Sequence, residues 1–194
     1  MIYLHLFCFI LKKSMETKRL FIGTFVAPSL FESKFKSVQY DFDTCCSGKW
    51  VELNNLHFTY QFLGNVETSQ IDEFRNSLKD YLIDYQSKLS IKGLSVLPKP
   101  NFPKVLYMKI QNDDGIVLSA QKKMENILVS HGYKPEKRAF TPHVTLLRIK
   151  QFERNRFIET ITKYQDFEIG IMDSFRIDMI ESQLTKYGPI YRKI

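Results

Sequence analysis

Cysteine is scarce in this chain, three residues in 194, and Cys8, Cys45 and Cys46 fall at no spacing that metal ligation uses. An odd count with one adjacent pair also makes a poor disulfide framework, so the chain reads as a protein of the reducing cytoplasm. Glycine is thin at eight residues, and no glycine-rich turn follows an apolar run. That excludes the phosphate cradles of P-loop and dinucleotide-binding folds. Long apolar runs are missing too. Residues 1–11 are apolar and end at Lys12-Lys13, far short of the ~20 residues that a membrane-crossing helix needs. They lack a basic leading region and a small-residue cleavage site, so neither a secretory signal nor stable membrane association is expected. We read residues 1–17 as an N-terminal extension from an upstream start codon, with Met15 opening the working protein, and 18–194 as one two-lobed domain.

What the chain does have is apolar content for a sizeable core, 44% of residues, and an excess of positive charge, +7 with a pI near 9.2. Lysine and arginine gain from neutralising phosphates, so the balance favours an anionic partner such as a nucleotide or RNA. Basicity alone does not choose among such partners.

Periodicity orders the elements. Residues 19–27 form a nearly continuous apolar run ended by Pro28, as a buried strand does. Phe31, Phe35 and Val38 then recur at helical spacing, and 40–48 reads as a polar, cysteine-containing loop before strands at 50–53 and 57–63, the latter stopped by Gly64-Asn65. Ile71, Phe74, Leu78, Leu82 and Tyr85 make one face of an amphipathic helix. Strands at 88–97 and 105–111 flank the turn-rich Pro98-Lys99-Pro100-Asn101-Phe102-Pro103. A helix carrying Ile116, Val117, Ala120, Met124 and Leu128 follows, closing near Gly132, then a strand from His143, a helix over 152–164 and strands at 167–172, 174–181 and 189–193. Strand, helix, strand, helix appears in both halves, which predicts an α+β fold with pseudo-symmetric lobes.

Two short segments share one chemical pattern, His57-Phe58-Thr59-Tyr60 and His143-Val144-Thr145-Leu146. Side chains on a strand alternate faces, so each segment presents an imidazole beside a hydroxyl on one face and apolar residues on the other. Two imidazoles supply the base and the acid that an in-line displacement at phosphorus needs, and their ordinary pKa near 6.5 lets one be neutral while the other is protonated. The two threonine hydroxyls can donate to the non-bridging oxygens. By the same alternation Phe58, Tyr60, Phe62, Val144 and Leu146 are expected on the core face. Pro142 opens the second strand and holds Thr141 extended.

With Asn54-Asn55-Leu56 and Phe62-Leu63-Gly64 around the first segment, and Phe140-Thr141-Pro142 and Leu147-Arg148 around the second, the chain resembles the two-histidine (2H) phosphoesterases. Within these it is similar to the RNA 2',3'-cyclic phosphodiesterases once described as 2'-5' RNA ligases. The likeness is strong at the two segments and thin elsewhere; Ser182 and Tyr187-Gly188-Pro189 are loosely similar to the family's closing strands. The resemblance implies antiparallel sheets lining a central cleft with helices outside, no metal and no cofactor, a monomer, and RNA or a nucleotide with a cyclic phosphate end as substrate. It implies His57 as general acid on the ribose 3' oxygen and His143 as general base on water, leaving a 2'-phosphate, with Thr59, Thr145 and Arg148 at the phosphate. The residues alone allow the reverse assignment of the two histidines, and ligation of a 2'-5' bond would swap the roles.

Arg148 raises a parity problem. It lies an odd number of residues beyond His143, so in a regular strand it points away, and it reaches the site only past a bulge or strand end. His5 and His131 lie outside comparable frames, and no carboxylate is spaced to join His57 or His143 as a metal ligand. Lys134, Lys137 and Arg138 read as a solvated loop that could also steer RNA, and Trp50, Phe140 and Tyr187 could stack on a base. Two other readings fit the same residues: a 2H phosphodiesterase acting on another cyclic or 2'-5' linked nucleotide, and a non-catalytic RNA-binding module. Product analysis separates the first, and salt-sensitive binding without turnover marks the second.

Overall fold

A computed structural model of the chain describes residues 16–186 and 188–194. His5, Cys8, the segment 1–11, Met15 and Tyr187 lie outside the described residues. Strands β1 (Thr17–Phe25), β3 (His57–Glu67), β10 (Asp178–Thr185) and β11 (Gly188–Lys193) form an antiparallel sheet in the order β11-β10-β1-β3. A second antiparallel sheet has the order β2-β7-β6-β5-β8, built from β2 (Cys46–Trp50), β5 (Leu89–Leu97), β6 (Val105–Gln111), β7 (His143–Phe152) and β8 (Glu168–Met172). The short strands β4 (Asp84–Tyr85) and β9 (Phe175–Arg176) pair separately. The expected α+β class holds, and strands β3 and β7, which begin with the two histidines, approach each other between the sheets.

The helices α1 (Phe35–Asp43), α2 (Ile71–Leu78), α3 (Ile116–Ser130) and α4 (Arg154–Lys163) pack as exchanged pairs. α1 meets α4 beside β2, where the Phe42 ring lies 5.6 Å from Phe157 and 5.8 Å from Tyr164. α2 meets α3 beside β3, joined by the Phe74–Tyr133 ring contact at 5.6 Å and the Tyr133 hydroxyl, which donates to the Leu63 carbonyl. His131 belongs to this junction, its Nε2 3.0 Å from Ser77 Oγ and its ring 5.2 Å from Phe74. Each lobe therefore takes structure from both halves of the chain.

Some boundaries depart from their sequence reading. The helix expected through Tyr85 stops at Leu78, because Leu82 and Tyr85 meet the core from a turn and from β4 instead, and Tyr85 stacks on Phe175 at 5.1 Å. The segment 40–48 holds the end of α1 and the start of β2 instead of a loop, Trp50 Nε1–H tying the two by donating to Asp43 Oδ1 at 2.8 Å. The strand expected at 50–53 is accordingly displaced to Cys46–Trp50, and a short 3-10 turn occupies Leu53–Asn55. β3 runs past Gly64, whose φ of +73° bends the strand without ending it. The stretch 174–181 divides into β9 and β10.

Gly48 of β2 lies against β7 so closely that a Cβ there would run into the Arg148 carbonyl oxygen and the Leu147 side chain. Gly48→Ala is expected to destabilise the fold by about 2–3 kcal/mol, at the upper end for overpacking because the obstacle is backbone. Urea unfolding measures it; wild-type stability would show that β2 tolerates displacement from β7.

Candidate active site

A cavity of about 720 Å³ opens between the two sheets, and His57, Thr59, His143, Thr145 and Arg148 all line it. All five residues that the sequence assigned to the phosphate chemistry thus line one cavity. The two histidines are held alike. His57 Nδ1–H donates to the Asn55 carbonyl at 2.6 Å, and His143 Nδ1–H donates to the Thr141 carbonyl at 2.7 Å. In each half the acceptor lies two residues before the histidine. A carbonyl only accepts, so both rings carry the proton on Nδ1 and keep Nε2 as the nitrogen that gains or loses one.

Aromatic contacts fix the ring planes. His57 lies 4.9 Å from Phe21 and 4.7 Å from Tyr191, the latter edge-on, and His143 lies 4.9 Å from Tyr107. Burial is the main cause that lowers the His57 pKa below the ordinary imidazole value. The Asn55 carbonyl opposes this, while positive charge on Arg148 and His143 adds to it. The Tyr191 hydroxyl is pushed up, mainly by burial, so it stays protonated beside His57.

Arg148 reaches the cavity by the route that strand parity demands. In the pairing of β6 with β7, Tyr107 faces Thr145 and Leu106 faces Leu147, which leaves Leu146 as an extra residue. Leu146 and Leu147 are consecutive and both fully buried. The bulge reverses the alternation and turns Arg148 to the side of His143 and Thr145. β3 repeats the device at the same offset, because Gly23 pairs with Thr59 and Ile22 with Gln61, leaving Tyr60 extra. Phe62 therefore turns into the cavity and is 63% exposed there.

Phe62 is accordingly not the core-face residue that plain alternation predicts, whereas Phe58, Tyr60, Val144 and Leu146 are buried as expected. The signal was present in the sequence: Phe62 stands as far beyond His57 as Arg148 does beyond His143. Asn55, which flanks the first segment, also lines the cavity, as do Arg19, Lys49 and Tyr191, none of which stood out in the sequence. Tertiary pairing, not local pattern, brings Arg19, Lys49 and Tyr191 there.

The base-stacking candidates divide. Trp50 lines the cavity, its ring meeting Phe35 edge to face with the ring centres 5.5 Å apart. Phe140 does not; it stacks on Tyr60 at 5.9 Å and borders a separate surface depression with Lys137 and Arg138. The loop of Lys134, Lys137 and Arg138 is exposed and stands outside the histidine cavity. Among the described residues no group of three His, Cys, Asp or Glu side chains is arranged to hold a metal ion. No helix among them is long and apolar enough to cross a membrane.

Two imidazoles of matched tautomer and two hydroxyls, with Arg148, Lys49 and Arg19 on the same wall system, are the equipment of a phosphoesterase. The chain belongs to the LigT-like phosphoesterase family, whose family model matches residues 28–107 and, a second time, 112–191. Each match holds one of the two histidine segments, in keeping with the two-lobed symmetry. A protein of Aquifex aeolicus named RNA 2',3'-cyclic phosphodiesterase is 32% identical over 91% of this chain and 95% of its own length. One of the same name from Methanothermobacter thermautotrophicus is 33% identical over 74% of this chain and 78% of its own. Among solved structures, Escherichia coli LigT complexed with 3'-AMP shares the fold with a TM-score of 0.73 at 16% identity, covering 92% of this chain and 96% of that one. TT0787 of Thermus thermophilus has a TM-score of 0.71 at 17% identity, covering 91% of this chain and 94% of that one.

Proposed function

We propose that this chain hydrolyses terminal 2',3'-cyclic phosphates of RNA to 2'-phosphates without a metal or cofactor, acting as a cytoplasmic monomer through the two-lobed domain of residues 18–194. The observation that carries this reading is the matched pair of Nδ1–H bonds, which leaves two proton-transferring Nε2 atoms around one cavity. The relatives' shared name points to the same substrate.

His143 Nε2 takes a proton from water as the water oxygen bonds to phosphorus. The bond from phosphorus to the ribose 3' oxygen breaks, and the proton on His57 Nε2 passes to that oxygen. The product carries a 2'-phosphate, and the two rings have exchanged protonation states, which bulk water resets. Thr59 and Thr145 hydroxyls donate to the non-bridging oxygens, and the Arg148 guanidinium offsets the charge that accumulates there. A bound anionic phosphate raises the proton affinity of His57 and so opposes the burial that lowers it in the free site.

A 5'-labelled oligonucleotide ending in a 2',3'-cyclic phosphate, incubated with the purified chain in chelator, is expected to yield the 2'-monophosphate alone. A 3'-monophosphate product would reverse the regiochemistry. Absence of turnover together with tight, salt-sensitive binding would make the chain a binding module.

A further inference from the structure

The two halves hold their histidines by the same backbone bond, but the residues that supply it differ in what their side chains do. Thr141 turns its hydroxyl back on its own loop, to the Ala139 carbonyl at 3.5 Å. Asn55 reaches a distant segment of the chain: its Nδ2 donates to the Pro189 carbonyl at 3.2 Å. Pro189 belongs to β11, the edge strand of its sheet, which among the described residues has β10 on one side and no strand on the other. Edge carbonyls lack ladder partners, so a side-chain donor is what this one can use.

The β10–β11 hairpin forms a wall of the site. Ser182, Leu184, Gly188, Pro189 and Tyr191 line the cavity, and Tyr191 meets His57 edge-on. Gly188 lies so near the end of the Lys49 side chain that a Cβ on it would stand 3.0 Å from Lys49 Nζ. Asn55 is thus joined to His57 through its carbonyl and to the hairpin through its side-chain amide.

We propose that Asn55 is a positioning residue that pins the β10–β11 hairpin over the bound nucleotide and sets the hairpin's distance from His57, which makes it a determinant of substrate affinity. This rests on the proposed phosphodiesterase function for its substrate. Its division of labour is specific: the backbone carbonyl serves the imidazole, and the side chain serves the hairpin. Removing the side chain leaves the first bond and deletes the second.

Asn55→Ala is therefore expected to raise KM for the cyclic-phosphate oligonucleotide at least about fivefold while kcat falls less than about threefold, the scale of one lost hydrogen bond. The single tryptophan of the chain, Trp50, lines the same cavity as the hairpin, so its access to a quencher reads the opening of that cavity independently of turnover. Acrylamide should quench it more efficiently in Asn55→Ala and in Asn55→Asp, which keeps the shape but cannot donate. Affinity for a dinucleotide ending in a 2'-phosphate should weaken at least about fivefold in Asn55→Ala. A fall in kcat at unchanged KM, or quenching and affinity equal to wild type, overturns the assignment. If the wild type turns over no cyclic end, the proposed function fails, while quenching and affinity still decide the role of Asn55.

Discussion

His57→Ala and His143→Ala are each expected to lower kcat/KM for a cyclic-phosphate oligonucleotide by at least ~10²-fold, within the range for losing one positioned proton-transfer group. The double variant should cost little more than either single one, because in the proposed mechanism the two rings act in the same step and neither is useful alone. A second substrate separates their roles. An aryl phosphodiester releases a phenolate that needs no proton, so it relieves the loss of an acid but not of a base. His57→Ala should recover most of its rate on such a substrate, and His143→Ala should not. Near-wild-type turnover in either variant would remove that ring from the chemistry, and recovery in the His143 variant instead would exchange the roles. Circular dichroism guards against a trivial loss, since the His57 ring packs between Phe21 and Tyr191 and its removal leaves space there.

The site was more legible in the sequence than the borders of the fold. Alternation on a strand is a local rule, so His57 with Thr59 and His143 with Thr145 could be placed on shared faces from spacing alone. Helix α2 shows the opposite case. Its apolar spacing continues to Tyr85, yet the backbone leaves the helix at Leu78, because Asp84 and Tyr85 pair with Arg176 and Phe175 nearly a hundred residues away. The Arg176–Asp84 ion pair at 2.6 Å belongs to the same distant contact. No local period encodes such a partner. Tyr191 and the side-chain bond of Asn55 to Pro189 fall in the same class, since both depend on where β11 docks.

The bulges lie between these extremes. Parity placed Arg148 on the wrong face, and that contradiction was itself informative: an arginine wanted at the phosphate required an extra residue between Thr145 and Arg148, and Leu146 is that residue. The same reasoning applied to the first half would have located Tyr60 as the extra residue and Phe62 in the cavity. One half thus ends its segment with a cation and the other with an aromatic ring. The pseudo-symmetry of the backbone supports an asymmetric pair of side chains, one suited to phosphate and one to a base or ribose face.

Arg148→Met, which keeps most of the side-chain length and removes the charge, is expected to lower kcat/KM by ~10²-fold at neutral pH, the scale for one donor at a developing phosphoryl charge. Its pH dependence should also change. Burial lowers the His57 pKa most, and the positive charge of Arg148 lowers it further. Without that charge His57 binds its proton more tightly, so its titration moves upward in pH. If His57 is the acid, the variant keeps the active form to higher pH; if it is the base, the variant needs higher pH to reach it. Either way the ratio of wild-type to variant kcat/KM is larger at low pH than at high pH, and the optimum of the bell-shaped profile expected from one acid and one base shifts upward. A ratio that stays constant from pH 5 to 9 would mean that the ring beside Arg148 does not govern the rate. A downward shift would mean that Arg148 supports the charged imidazole through the bound phosphate more than it opposes it directly.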